Sequence, residues 1–310
     1  MTDAPCVTAS APATVANLGP GFDLLGLALE SPRDRVTARL VPTPGVRIVR
    51  QEGDGGRLPL EADRNTAGIA ALATLARAGI EAGIELEVEK GMPIGSGLGS
   101  SAASAAAAAY AVNVVIGGPL RRQDLVAASM EAEAAVSGRH ADNVAPALLG
   151  GLVLVRSTDP LQVLRLPVPE GLVVVVVTPD LEVETRRARE ALPDRVPLGD
   201  AVKNSANLAT FIAACFSGDL GLLAECIEDV LATPARAPLV PGCLEVMAAA
   251  REAGALGSSL SGSGPSIFAL CHSTATATRV RDAMVDTFAI AGLDVRSLVS
   301  PADCPGARTR

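Results

Sequence analysis

From Pro93 to Ala103 the chain reads Pro-Ile-Gly-Ser-Gly-Leu-Gly-Ser-Ser-Ala-Ala, and no other stretch restricts its fold so tightly. Gly95, Gly97 and Gly99 strip the side chains from a short loop, so backbone N–H groups can come close to a ligand. The alanine-rich run from Ser100 to Ile116 predicts a helix, ended by Gly117-Gly118-Pro119. Ile84 to Val88 alternates apolar and acidic residues and predicts a strand leading into the loop. A glycine loop opening a helix offers amides and a positive dipole end to an anion, which points to a phosphate site. A P-loop of the usual kind needs a lysine before its Ser/Thr, and the only lysines are Lys90 and Lys203. A dinucleotide fingerprint fails as well, because the third glycine comes one residue early. Two readings of the loop remain: a plain turn onto a buried helix, or a phosphate loop of another kind.

Composition narrows the partners. The chain has 310 residues, 49% of them apolar, which predicts two cores rather than one. Aromatic residues make up only 2%, with no Trp, which argues against base-stacking platforms for single-stranded nucleic acid. A net charge of -8 gives no footprint for nucleic acid or an anionic membrane, so an anionic small molecule must be caught by local arginines and amides. The six cysteines show no C-x-x-C spacing and read as small apolar residues. No signal-like amino terminus or membrane-length apolar run occurs, which predicts a cytoplasmic protein.

Three segments then carry a resemblance. Pro93–Ser104 resembles the second motif of the GHMP kinases, and LSGSGPSIFAL at 260–270 their carboxy-terminal glycine motif. PATVANLGPGFDLLGLAL at 12–29 resembles the first motif of the homoserine kinases among them. The resemblance implies an α+β, two-domain GHMP kinase fold, with a ribosomal-protein-S5-like amino-terminal domain and a ferredoxin-like carboxy-terminal one. Thr158-Asp159-Pro160 is the boundary signal, giving domains 1–157 and 158–310. It further implies a kinase that uses ATP and Mg²⁺ to phosphorylate the hydroxyl of L-homoserine, and a homodimer. Two alternatives stay open: a GHMP kinase for mevalonate or a sugar, and a non-catalytic sensor of the same fold.

The same resemblance assigns roles residue by residue. Pro93, Ile94, Gly95, Ser96, Gly97, Leu98, Gly99, Ser100, Ser101, Ala102 and Ala103 would form the nucleotide loop. Asn65, by residue type an N-cap for a helix to about Ala78, would also touch adenine. Glu131 and Glu133 point roughly 200° apart on a helix, and the resemblance picks Glu133 to hold Mg²⁺ with Ser100. Asn17 and Asp23 would hold the acceptor's hydroxyl and ammonium ends, His140 would contact the amino acid, and Asn143 would position its hydroxyl. Thr185 and Arg189, with Arg236, would complete the acceptor site, the two arginines gripping the α-carboxylate. Asp142 is a candidate general base, against direct proton transfer to phosphate. The chain departs from the family pattern at Arg187, where a Glu is usual, and in a Ser137-Gly138 to His140 spacing one residue short. Gly218–Leu231 predicts a helix, and the tail from Pro301 reads as mobile.

Overall fold

The computed structural model of the chain describes residues 4–136 and 138–309; Ser137, at the head of the loop before His140, lies outside them. The first half runs β1 (Cys6–Ala16), β2 (Leu25–Val41), β3 (Gly45–Glu52), α1 (Thr66–Ala78), β4 (Gly83–Glu89), α2 (Ser100–Val115), α3 (Arg122–Val136), α4 (Val144–Leu149), β5 (Leu152–Thr158) and β6 (Leu161–Leu166). The second runs β7 (Val173–Pro179), α5 (Thr185–Glu190), α6 (Leu198–Ser217), α7 (Leu220–Cys226), α8 (Thr233–Arg236), α9 (Cys243–Glu252), β8 (Gly257–Leu260), β9 (Ile267–Cys271), α10 (Thr274–Ile290), β10 (Val295–Pro301) and β11 (Arg308–Thr309).

One sheet follows the order β11-β1-β2-β4-β3, with β5 on the first part of β2 and β6 beyond it; the other is antiparallel, β10-β7-β9-β8. β6 lies past the Thr158-Asp159-Pro160 signal yet pairs with β5, so the change of sheet falls between 166 and 173. The tail is not free: β11 pairs with Ala9 and Ser10 of β1, and Arg33 holds the carbonyls of Pro305 and Gly306. The segment 218–231 is helical only to Cys226, because Asp229 accepts the N–H groups of Leu231, Ala232 and Thr233 and starts α8 instead. β7, nearly all valine, is buried along almost its whole length, as a strand covered on both faces must be.

Helix α2 passes through the first core between β1, β2, α1 and α3, and its alanines are fully buried. Methyl-sized side chains let four neighbours approach one helix at once, at little cost in side-chain entropy. Its first turn is fixed by charge. The Lys90 ammonium donates to Asp34 Oδ2 (2.5 Å), to the Ser100 carbonyl (2.6 Å) and to Ser104 Oγ (2.8 Å), while Gly91 N–H donates to Asp34 Oδ1 (2.8 Å). The Lys90 and Asp34 side chains are 2% and 0% exposed. Lys90 thus spends its three donors on holding the helix in place.

Breaking a buried pair from one side costs about 3–5 kcal/mol, whereas replacing both partners by apolar residues is often nearly neutral. Urea unfolding of Asp34→Ala is expected to show a loss of that size, and Lys90→Met with Asp34→Leu together should cost less than either alone. Additive losses would contradict the assignment.

Candidate active site

A cavity of about 410 Å³ lies where the three glycine segments meet. The phosphate loop is clamped from behind by the third segment: Ser261 Oγ donates to the Gly97 carbonyl (2.7 Å) and Ser266 Oγ to that of Ser96 (2.6 Å). The first segment joins both, through Thr14 N–H to the Leu98 carbonyl and Gly262 N–H to that of Ala16. Glycine is required here by space as well as by φ. A Cβ on Gly97 (φ 76°) would lie 2.6 Å from the Ser261 carbonyl, and one on Gly99 (φ 65°) would lie 2.2 Å from Thr14 Oγ1.

At the phosphate end the cavity is lined by Ile94, Gly95, Ser96, Gly97, Gly99, Ser100, Ser101 and Glu133. Glu133 is buried and accepts a 2.6 Å hydrogen bond from Ser101, whereas Glu131 faces Arg77 and Arg139 on the outside. Ser100 Oγ is buried and makes no hydrogen bond among the described residues, an expensive state for a hydroxyl beside a helix N-terminus. A buried carboxylate and an unsatisfied hydroxyl are hard oxygen donors of the kind Mg²⁺ takes alongside phosphates and water.

At the other end Asn17, Leu18 and Asp23 adopt positive φ (71°, 48°, 57°), a conformation uncommon outside glycine. Asn17 pays for this turn with its own amide: Oδ1 accepts the Asp23 N–H (3.1 Å) and Nδ2 donates to the Gly262 carbonyl (3.2 Å). Asp23 then receives Arg189 in a two-pronged pair, 2.8 and 3.0 Å. Arg189 Nη2 also reaches His140 Nε2 at 2.9 Å, and His140 Nδ1 lies 3.6 Å from Asp23 Oδ2. Arg189 Nε is buried and without a hydrogen-bond partner among the described residues.

Arg236 is held by the local chemistry of α8. The Asp229 carboxylate starts that helix, and the arginine at its end gives Nε to the Ala188 carbonyl (3.1 Å) and Nη1 to that of Gly262 (3.0 Å). It is 3% exposed and forms no ion pair among the described residues. Burial, and then the Arg189 charge, draw its guanidinium below the ordinary arginine range. A buried cation without a carboxylate is poised for an anion that the protein does not itself supply.

Asp142 and Asn143 line the cavity between these ends, with Thr14 donating to Asn143 Oδ1 at 2.8 Å. Burial, and after it the charges of Asp23 and Glu133, push the Asp142 carboxyl up to about 7. Thr185, at the head of α5, also lines the cavity. Leu98, Ala102 and Ala103 face the core instead, and Pro93 lines a neighbouring cleft, its carbonyl accepting from Ser96 Oγ. Asn65 lines the cavity rim but is occupied as the N-cap of α1, accepting from Ala67 and donating to Gln51 and Pro59. Sequence reasoning passed over Lys90 and Asp34, which are scattered singly along the chain, and Ser101 as the partner of Glu133.

The family models described as "GHMP kinases N terminal domain" and "GHMP kinases C terminal" match residues 65–151 and 211–290. The chain belongs to the GHMP kinases. Within them it belongs with the homoserine kinases: it is 44% identical to the homoserine kinase of Xylella fastidiosa (strain 9a5c) over 97% of this chain and 92% of that one. It is 46% identical to that of Arabidopsis thaliana over 90% of this chain and 77% of the other. The crystal structure of homoserine kinase from Cytophaga hutchinsonii superposes with a TM-score of 0.96 at 44% identity, covering 100% and 99% of the two chains. L. major mevalonate kinase, at 16% identity and a TM-score of 0.69 over 98% and 97%, shares the fold.

A raised carboxyl pKa means that the folded protein holds its proton more tightly than the unfolded chain. No penalty exists below about 4, and one accumulates as the pH rises towards 7, where Asp142 ionises in its buried site. Asp142→Asn is therefore expected to gain stability over the wild type between pH 4 and pH 7, as read by thermal unfolding across that range. A constant difference would contradict the raised value.

Proposed function

We propose that the chain transfers the γ-phosphoryl group of ATP to the side-chain hydroxyl of L-homoserine, giving ADP and O-phospho-L-homoserine on the route to threonine. The observation that carries the reading is Arg236, a buried guanidinium with no carboxylate of its own, beside Arg189 with its unpartnered Nε. Two guanidinium groups facing one cavity suit an α-carboxylate, which mevalonate carries in another position and a sugar lacks.

In this reading the zwitterion exchanges partners with the protein. Its ammonium takes Asp23 in place of Arg189, and its carboxylate takes Arg189 and Arg236, so the Arg189–Asp23 pair is replaced by two charge-assisted contacts rather than lost. The α2 N-terminus and the amides of Gly95 to Ser101 hold the triphosphate, with Asn65 at the base end. Ser100 and Glu133 would hold Mg²⁺, which when bound screens the phosphate charge. Asn17 and Asn143 orient the hydroxyl, so most of the rate comes from placement and fixed charge. Asp142 is the group that would accept the hydroxyl proton; the competing route delivers it to a phosphate oxygen. A cytoplasmic location and a homodimer complete the reading, the homodimer supported by the exposed apolar residues Leu198, Val202 and Phe216 along α6.

The test is coupled ADP release with L-homoserine, L-serine, mevalonate and galactose, in wild type and Arg236→Ala. Turnover should be confined to L-homoserine, and the variant should lose about 30- to 5,000-fold in kcat/KM, the size expected for a buried charge pair. Turnover of mevalonate or galactose that is indifferent to Arg236→Ala would contradict the reading. With Asp142 as base, kcat/KM falls on the acid side with a midpoint near 7 and Asp142→Asn loses about 100-fold or more. An acid limb retained in Asp142→Asn assigns the proton to phosphate.

A further inference from the structure

Of the five phenylalanines, Phe211, Phe268 and Phe288 fill cores and Phe216 is exposed, while Phe22 is half-buried within the turn that carries Asn17 and Asp23. Both clamp arginines lie over its ring. The guanidinium carbon of Arg189 is 5.2 Å from the ring centroid and that of Arg236 is 5.1 Å. Two like charges brought to one spot repel, and the negative face of an aromatic ring attracts each of them without neutralising either. A carboxylate in the same place would satisfy the arginines and remove their affinity for a substrate carboxylate.

The backbone that carries the ring is held on both sides. On one side the Pro20 carbonyl accepts a 2.9 Å hydrogen bond from Asn204 Nδ2 of α6, and the Gly21 carbonyl accepts from Leu24 and Leu25. On the other, Asp23 is fixed through its N–H to Asn17. We propose that Phe22 is the positioning residue of the carboxylate clamp, its ring holding Arg189 and Arg236 together so that both address one carboxylate. This rests on the reading that those arginines take the acceptor's carboxylate.

The experiment compares L-homoserine with 3-aminopropan-1-ol, the same acceptor without its carboxylate, at saturating ATP. Wild type, Phe22→Leu, Phe22→Tyr and Arg236→Ala are assayed with both. Phe22→Leu should raise the KM for L-homoserine about tenfold, the combined scale of two partly solvated cation–π contacts. It should leave kcat and the KM for ATP nearly unchanged, and it should not alter kcat/KM for 3-aminopropan-1-ol. Phe22→Tyr, which keeps the ring face, should behave as wild type. A Phe22→Leu enzyme equal to wild type overturns the proposal, as does an equal loss on both acceptors or a Tyr variant as impaired as the Leu one. Phe22→Met replaces Phe22→Leu if the latter fails to fold. Arg236→Ala reports separately on the underlying reading: should it keep the full wild-type preference for L-homoserine, the carboxylate clamp itself is wrong.

Discussion

A guanidinium at 3% exposure, held by two carbonyls and no carboxylate, is a charge whose desolvation is only partly repaid. Its surroundings are arranged to tolerate that state. The Asp229 cap fixes the short helix that ends in Arg236, the Gly262 carbonyl that receives it belongs to the third glycine segment, and Asn17 of the first segment donates to that same carbonyl. The acceptor end of the cavity is thus tied to the loop behind the phosphate site through one backbone oxygen. Arg189 differs in having Asp23 as a partner, so among the described residues one of the two cations is ion-paired and the other is not.

The phosphate end depends on close approach rather than charge. Gly97 and Gly99 allow three chain segments to meet with no side chain between them, and the serines at 261 and 266 bind the loop carbonyls. The buried Lys90–Asp34 pair fixes the α2 N-terminus from the opposite side. Loop, helix and buried pair come from the first half and Ser261 and Ser266 from the second, so the cavity lies at the junction of the two halves. Among the described residues no helix is long and apolar enough to cross a membrane.

Much of this was legible in the residues because it is local. Glycine spacing, the alanine run of α2, the valines of β7 and the Asn65 cap each announce themselves within a dozen positions. The choice of Glu133 over Glu131 was legible only through the resemblance, and the packing gives it a physical basis: one faces Ser101 inside, the other Arg77 and Arg139 outside. What escaped was long-range. Pairing of β11 with β1 joins residues some 300 positions apart, and β6 continues the first sheet beyond a proline that looks like a boundary. The Asp229 cap shortened a predicted helix because one carboxylate competed successfully for its backbone. Phe22 was passed over as part of a turn, since nothing in its neighbours shows that two arginines more than 160 residues away converge on it.

The proposed exchange of ion pairs around Asp23 is addressed most directly by a crystal structure with L-homoserine bound. The two-pronged Arg189–Asp23 contact is expected to open, with the ammonium on Asp23 and the carboxylate shared by Arg189 and Arg236. L-Homoserine bound with that contact intact, or with its carboxylate turned away from Arg236, would contradict it.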